Sequence, residues 1–114
     1  MKISDLAERT GLTAHTIRYY ERIGLMPAAQ RDRSGHRAYD ERTLVWVEFL
    51  GHLKTTGMPI RDMLDYARLR AAGAGTEGQR KAMLARHRDA VALRVVALTE
   101  CLDVLDAKIA GYGD

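Results

Sequence analysis

One segment, residues 79–110, contains neither proline nor glycine and constrains the fold more than any other part of the chain. Thr76, three residues before this segment, and Gln79, its first residue, have the spacing of a helix capping box. We therefore predict a helix of about thirty-five residues, about 50 Å long at 1.5 Å per residue. A chain of 114 residues then consists of one compact head and one long helix. The flexible stretch 71–75 separates the predicted domain 1–72 from the predicted helix 76–112.

Apolar residues repeat along this helix with the seven-residue spacing of a coiled coil. The stripe would face water unless it met a partner, and a chain with one such helix finds that partner in a second copy of itself. We therefore predict a homodimer. The predicted dimerisation residues are Leu84, Val91, Val95, Leu98, Leu102, Leu105 and Ile109.

Two short helices joined by a glycine turn are predicted near the start of the chain. Ser4 is the expected N-cap of the first helix, and Gly11 ends it. Thr13 is the expected N-cap of the second helix, which ends before Gly24, where a left-handed conformation costs little. The pattern indicates a helix-turn-helix, although many unrelated helical hairpins share it.

A polar, basic segment, residues 30–39, follows this helix pair and contains the turn residues Ser34-Gly35. Its composition is typical of a two-stranded wing with a tight turn. Residues 18–37 contain five arginines and two acids, and this excess of positive charge would attract a phosphate backbone. With the helix pair, this segment predicts a winged helix-turn-helix that binds DNA.

Two further helices, at about residues 41–56 and 60–70, complete the predicted head. Asp40 is the expected N-cap of the first of them, and Trp46 and Phe49 are interpreted as packing residues. Its predicted core stripe is Leu44, Val47, Leu50 and Leu53. The predicted fold class is therefore all-α with a small β-wing: a winged helix-turn-helix head followed by a long dimerising coiled-coil helix.

These motifs, in this order, resemble the mercury-resistance regulator (MerR) family of bacterial transcription factors. The specific match covers roughly the first seventy residues, whereas the long helix matches in architecture only. The matching stretches are residues 1–7, 11–13, 16–21, 24–25, 37–39 and, more loosely, 57–60. The chain looks like a short member of the family, because it lacks the cysteines of metal-sensing relatives and the large C-terminal domain of drug-sensing ones.

The resemblance implies three partners: double-stranded promoter DNA, a second copy of the chain, and bacterial RNA polymerase at the promoter. Family members are homodimers joined by an antiparallel coiled coil, and their heads occupy successive major grooves of a pseudo-palindrome. They bend and untwist promoter DNA whose spacer is too long, which brings the two polymerase contact elements into register.

The resemblance and the local chemistry together place DNA contacts on the second helix and the wing. Arg18 can reach guanine or phosphate from the recognition helix, and the hydroxyls of Tyr19 and Tyr39 suit phosphate oxygens. Tyr20 is interpreted instead as a core residue. The predicted DNA-binding residues are Thr13, His15, Thr16, Arg18, Tyr19, Arg22, Arg33, His36, Arg37 and Tyr39.

The residues predict no metal site, no cofactor and no catalytic centre. The single cysteine, Cys101, excludes a multi-cysteine zinc site, and no nucleophile–base pair, carboxylate dyad or phosphate loop is present. Cys101 is interpreted as a small apolar filler, with a redox or electrophile switch as the alternative. Because no signal peptide or membrane-spanning segment is recognisable, we expect a cytoplasmic protein.

Two other functions are compatible with a winged head. One is an adaptor that modulates another protein instead of a promoter, although Arg18, Tyr19, Arg37 and Tyr39 would be unnecessary there. The other is a monomeric architectural protein of the excisionase kind, which the long heptad helix disfavours.

Overall fold

The structure, a computed structural model, describes residues 1–113. Its elements are, in chain order, α1 (Ile3–Thr10), α2 (Ala14–Arg22), β1 (Gln30–Arg31), β2 (Arg37–Ala38), α3 (Glu41–Thr55), α4 (Ile60–Ala72) and α5 (Glu77–Gly111). The chain divides into two compact units, Met1–Thr76 and a second that begins at Glu77. We call the first unit the head. The architecture confirms the predicted fold class, with a winged helix-turn-helix head followed by one long helix.

The helix-turn-helix forms as predicted, except at the start of α1. Lys2 and not Ser4 is the N-cap, because the Asp5 carboxylate accepts a hydrogen bond from the Lys2 backbone N–H at 3.0 Å. Ser4 therefore lies inside the helix. Gly11 ends α1 in the left-handed conformation, with φ of 75°, and Thr13 Oγ1 caps α2 by accepting from the Thr16 N–H at 3.0 Å.

The wing is a two-stranded antiparallel sheet in which Gln30 pairs with Ala38 and Arg31 with Arg37. Its turn is closed by Asp32, whose Oδ1 accepts from the backbone N–H of Ser34 at 2.9 Å and of His36 at 3.0 Å. Gly35 has φ of 82° in this turn, a conformation that costs a glycine little. Two residues per strand make the wing too short to be stable alone, so it depends on contacts with the rest of the head.

The head core lies among its four helices: α1 packs on α2 and α3, and α4 packs on α3. The predicted α3 stripe, Leu44, Val47, Leu50 and Leu53, is buried. Trp46 is buried too, and its Nε1 donates to the Leu25 carbonyl at 2.9 Å, which confirms its packing role. Each fully buried aliphatic side chain contributes about 1.5–3 kcal/mol, so this interior holds α2 firmly in place.

The α5 helix spans 35 residues, as predicted, and has no buried residue. Five residues of its predicted seam are between 56% and 67% exposed: Val95, Leu98, Leu102, Leu105 and Ile109. Within residues 1–113, no helix has both the length and the apolar character that a bilayer crossing requires.

Candidate nucleic-acid interface

One face of α2 is exposed and basic, and the opposite face is buried in the head. Ile17 and Tyr20 point into the core, where they are 0% and 4% exposed, so the interpretation of Tyr20 as a core residue is confirmed. The outer face presents residues at the i, i+3, i+4 and i+7 spacing of a single helical face. They are His15, Arg18, Tyr19 and Arg22, all exposed.

Tyr19 and Arg22 are ordered against each other on this face. The Arg22 guanidinium carbon lies 5.4 Å from the centroid of the Tyr19 ring, within the range of a cation–π interaction. The contact restrains two long side chains before any ligand binds, which lowers the entropy that binding would cost.

The first turn of α2 carries Thr13 and Thr16, whose hydroxyls are 3.0 Å apart. The N-terminus of a helix bears a partial positive charge and free N–H groups, which favour an anion such as phosphate. With Arg18 one turn further along the helix, the start of α2 is suited to contact a DNA strand.

The tip of the wing presents Arg33 and His36, both exposed. The turn that carries them is fixed by Asp32, and the backbone N–H of His36 that donates to this carboxylate holds the pKa of Asp32 below its ordinary value. Asp32 therefore stays ionised, and the turn keeps its geometry, even in mildly acidic solution.

The base of the wing is joined to α2 by one carboxylate. Glu21 Oε2 lies 3.2 Å from Arg37 Nε, and Glu21 Oε1 accepts a hydrogen bond from the Tyr39 hydroxyl. Tyr39 is only 4% exposed, and burial, together with the bond to Glu21, raises the pKa of its hydroxyl well above the ordinary value. The sequence predicted that this hydroxyl contacts a DNA phosphate. In the structure the hydroxyl is buried and donates a hydrogen bond to Glu21.

Sequence reasoning missed Glu21, whose side chain is 8% exposed. One signal could have found it: Glu21 stands four residues after the core residue Ile17 and therefore lies on the same side of α2. A carboxylate on the inner side of a helix needs donors from a neighbouring element. The nearby wing offers Arg37 and Tyr39.

Cys101 is exposed on α5. Across residues 1–113, the histidines, cysteine and acids form no cluster of three that could hold a metal ion.

The fold and the basic face of α2 define a class, the winged helix-turn-helix proteins. Within that class, the family model described as MerR family regulatory protein matches residues 2–39. The crystal structure of HiNmlR, described as a MerR family regulator lacking the sensor domain and bound to promoter DNA, superposes with a TM-score of 0.89 at 32% identity. The match covers 97% of this chain and 88% of that one.

Two further relatives agree. A MerR family transcriptional regulator from Bacillus thuringiensis superposes with a TM-score of 0.86 at 30% identity, covering 97% of each chain. The HTH-type transcriptional regulator AdhR of Bacillus subtilis is 42% identical over 88 residues, which are 77% of this chain. The alignment covers 63% of AdhR, less than two thirds of its length. The chain belongs to the MerR family of transcriptional regulators.

Proposed function

We propose that the protein is a homodimeric, sequence-specific DNA-binding regulator that bends and untwists a promoter with an over-long spacer. The observation that carries the proposal is the exposed basic face of α2, His15, Arg18, Tyr19 and Arg22, held on a buried core beside a basic wing. A recognition helix in the major groove with a wing on the flanking backbone is how such heads bind DNA.

The contacts divide by chemistry into those that read sequence and those that position the head. Arg18 and His15 extend from the middle and start of α2, where side chains can reach base edges. The Tyr19 hydroxyl, Arg33 and His36 are suited to phosphates, which fix register without carrying sequence information. Arg37, at the base of the wing, is also proposed to contact a phosphate.

Dimerisation is supported by the apolar stripe of α5. Leu98, Leu102 and their seam neighbours are more than half exposed, which is unfavourable unless a second helix covers them. The partner is proposed to be the same helix of a second copy, which would place two heads on two half-sites of a pseudo-palindrome.

The charges of α5 favour an antiparallel pair. Residues 77–94 carry five Lys and Arg against two acids, whereas residues 95–111 carry one Lys against three acids. An antiparallel arrangement brings the basic half of each helix beside the acidic half of the other, and a parallel one would place like charges together. This matches the orientation that the family implies.

A selection experiment tests the proposal directly. The purified full chain is incubated with a random double-stranded DNA library, and bound DNA is sequenced after several rounds. We expect an inverted repeat to be enriched. In a circular-permutation mobility assay, we expect DNA that carries this repeat to be bent more when the protein is bound than when it is free. An adaptor that acts on proteins would enrich no motif, and that outcome would contradict the proposal. Binding to the repeat without a change in bend would contradict the promoter-distortion part alone.

A further inference from the structure

Glu21 presents an electrostatic conflict. It is an acid on the recognition helix, between Arg18 and Arg22, in a head that we propose to lie against a polyanion. A carboxylate at such a surface repels phosphate, and burial to 8% exposure costs further free energy unless the charge is paired. A residue with two costs and no evident contact to DNA needs another role.

The two oxygens of Glu21 each bond to the second wing strand or the residue after it. Oε2 receives the Nε–H of Arg37, and Oε1 receives the hydroxyl of Tyr39. The two donors come from residues 16 and 18 positions away in the sequence, so the carboxylate joins two separate elements. The Tyr39 backbone is fixed as well, because its N–H donates to the Met1 carbonyl at 2.7 Å.

The bond uses only part of Arg37. A guanidinium has five N–H donors in a rigid plane, and Nε supplies one of them. The Arg37 side chain is 34% exposed, so it is only partly covered by the head. A carboxylate at Nε therefore fixes the plane of the group while the terminal nitrogens keep the capacity to bind an anion, as a bidentate donor.

We propose that Glu21 is a positioning residue for DNA binding: it fixes Arg37 as a phosphate clamp and sets the wing relative to the recognition helix. Tyr39 is then the second anchor of the wing and does not contact DNA. The inference rests on the proposed DNA-binding function, and it goes further by assigning a role to an acid that repels the ligand.

The two possible effects of Glu21 on affinity have opposite signs, which makes a sharp test. If only charge mattered, Glu21→Gln would strengthen DNA binding, because it removes one negative charge from each head. If Glu21 positions Arg37, the same variant weakens binding, because the freed guanidinium is no longer held where it contacts a phosphate and that contact is lost. The sign of the change decides between them.

The measurement is fluorescence anisotropy with the full chain and the selected inverted repeat, over a series of salt concentrations. We expect Glu21→Gln to reduce affinity about tenfold or more, and the slope of log K against log salt to fall by about one for each head. The matched control is Glu48→Gln, which removes an exposed acid from α3 and should leave the slope unchanged. Circular dichroism and urea unfolding verify that each variant is folded.

The Arg37→Ala background separates positioning from general damage to the fold. Adding Glu21→Gln to Arg37→Ala should cause no further loss of affinity, since the clamp is already absent. An equal additional loss in that background, or a loss of affinity without a change in salt slope, would overturn the inference. Tighter binding by Glu21→Gln would overturn it as well.

A second variant, Arg37→Lys, keeps the charge and tests the clamp even if Glu21→Gln does not fold. A lysine ammonium is a point charge and cannot hold Glu21 and grip a phosphate bidentately, so its affinity should fall close to that of Arg37→Ala. Wild-type affinity in Arg37→Lys would refute the clamp. A wild-type chain that bound no DNA at all would refute the proposed function itself. If the wild type binds DNA and Arg18→Ala weakens that binding, the proposed function stands, and the Glu21 and Arg37 variants then test the clamp alone.

Discussion

Arg18 and Arg37 are both basic residues of the candidate interface, yet their surroundings give them different roles. Arg18 is exposed on the outer face of α2, whereas Arg37 is half-buried against Glu21. An exposed arginine on a recognition helix can follow the edge of a base, whereas a fixed one at the wing base suits the uniform geometry of phosphates.

Replacing Arg18 with alanine should weaken binding to the selected repeat by about 1–3 kcal/mol and relax base preference at one symmetric position of each half-site. The measurement is a binding titration across repeats mutated one base pair at a time. Arg86→Ala on α5 is the matched control, because it removes an exposed arginine outside the head. Unchanged affinity in Arg18→Ala would mean that α2 is not the recognition helix.

Tyr39 provides a prediction about stability and pH. Because the pKa of its hydroxyl is raised in the folded chain, the unfolded tyrosine ionises first as the pH passes about 10, and the unfolded state then binds fewer protons than the folded state. The stability that this group contributes is therefore complete below pH 10 and lost above it, at up to about 1.4 kcal/mol per pH unit. Tyr39→Phe should be less stable than the wild type at neutral pH and should lose less stability on going to high pH.

Urea unfolding between about pH 9 and pH 11.5 measures this difference. Tyr112→Phe serves as the control, since Tyr112 is 79% exposed and forms no part of the head. Parallel pH profiles for wild type and Tyr39→Phe would contradict the assigned bond to Glu21.

At the scale of elements, capping residues and glycines located the helices more reliably than the sequence located the functional side chains. Thr13, Asp40 and Gly24 act locally, through bonds to residues a few positions away, so the sequence alone was sufficient to place α2 and α3. The predicted start of α1 was wrong by two residues, because the Asp5 side chain accepts a hydrogen bond from the Lys2 backbone and makes Lys2 the N-cap, whereas Ser4 was the more obvious candidate. Glu21 was missed for a different reason: its partners lie across a loop, where only the folded chain brings them together.

The N-cap of α2 gives a prediction at this scale. Thr13→Ala removes the acceptor of the Thr16 N–H and should destabilise the chain by about 1 kcal/mol. Thr13→Ser keeps the oxygen and should stay near the wild-type value. The free energy of unfolding in urea is the measurement, and an equal loss in both variants would show that the cap oxygen is not responsible.

At the scale of the whole molecule, the apolar stripe of α5 is exposed, and we propose that a second copy of the chain covers it. The heptad spacing predicted the long helix because the signal is repeated over many turns, and the helix confirms it. The stripe alone does not identify the partner, because any apolar helix face of similar spacing could cover it. The charge difference between the two halves of α5 is what favours a second, reversed copy.

Leu98→Asp should convert the proposed dimer into monomers and abolish operator binding. The variant would place a charge at two symmetry-related positions of the apolar seam, where the cost of desolvating it opposes association. Single heads then lose the second half-site and the affinity gained from linking two contacts. Sedimentation velocity at micromolar concentration and anisotropy on the selected repeat are the measurements.

The control is Ala107→Asp, which adds the same charge at an outer heptad position and should leave the oligomeric state and the DNA affinity unchanged. A wild-type chain that sediments as a stable monomer would refute dimerisation, and a dimeric Leu98→Asp would place the interface elsewhere.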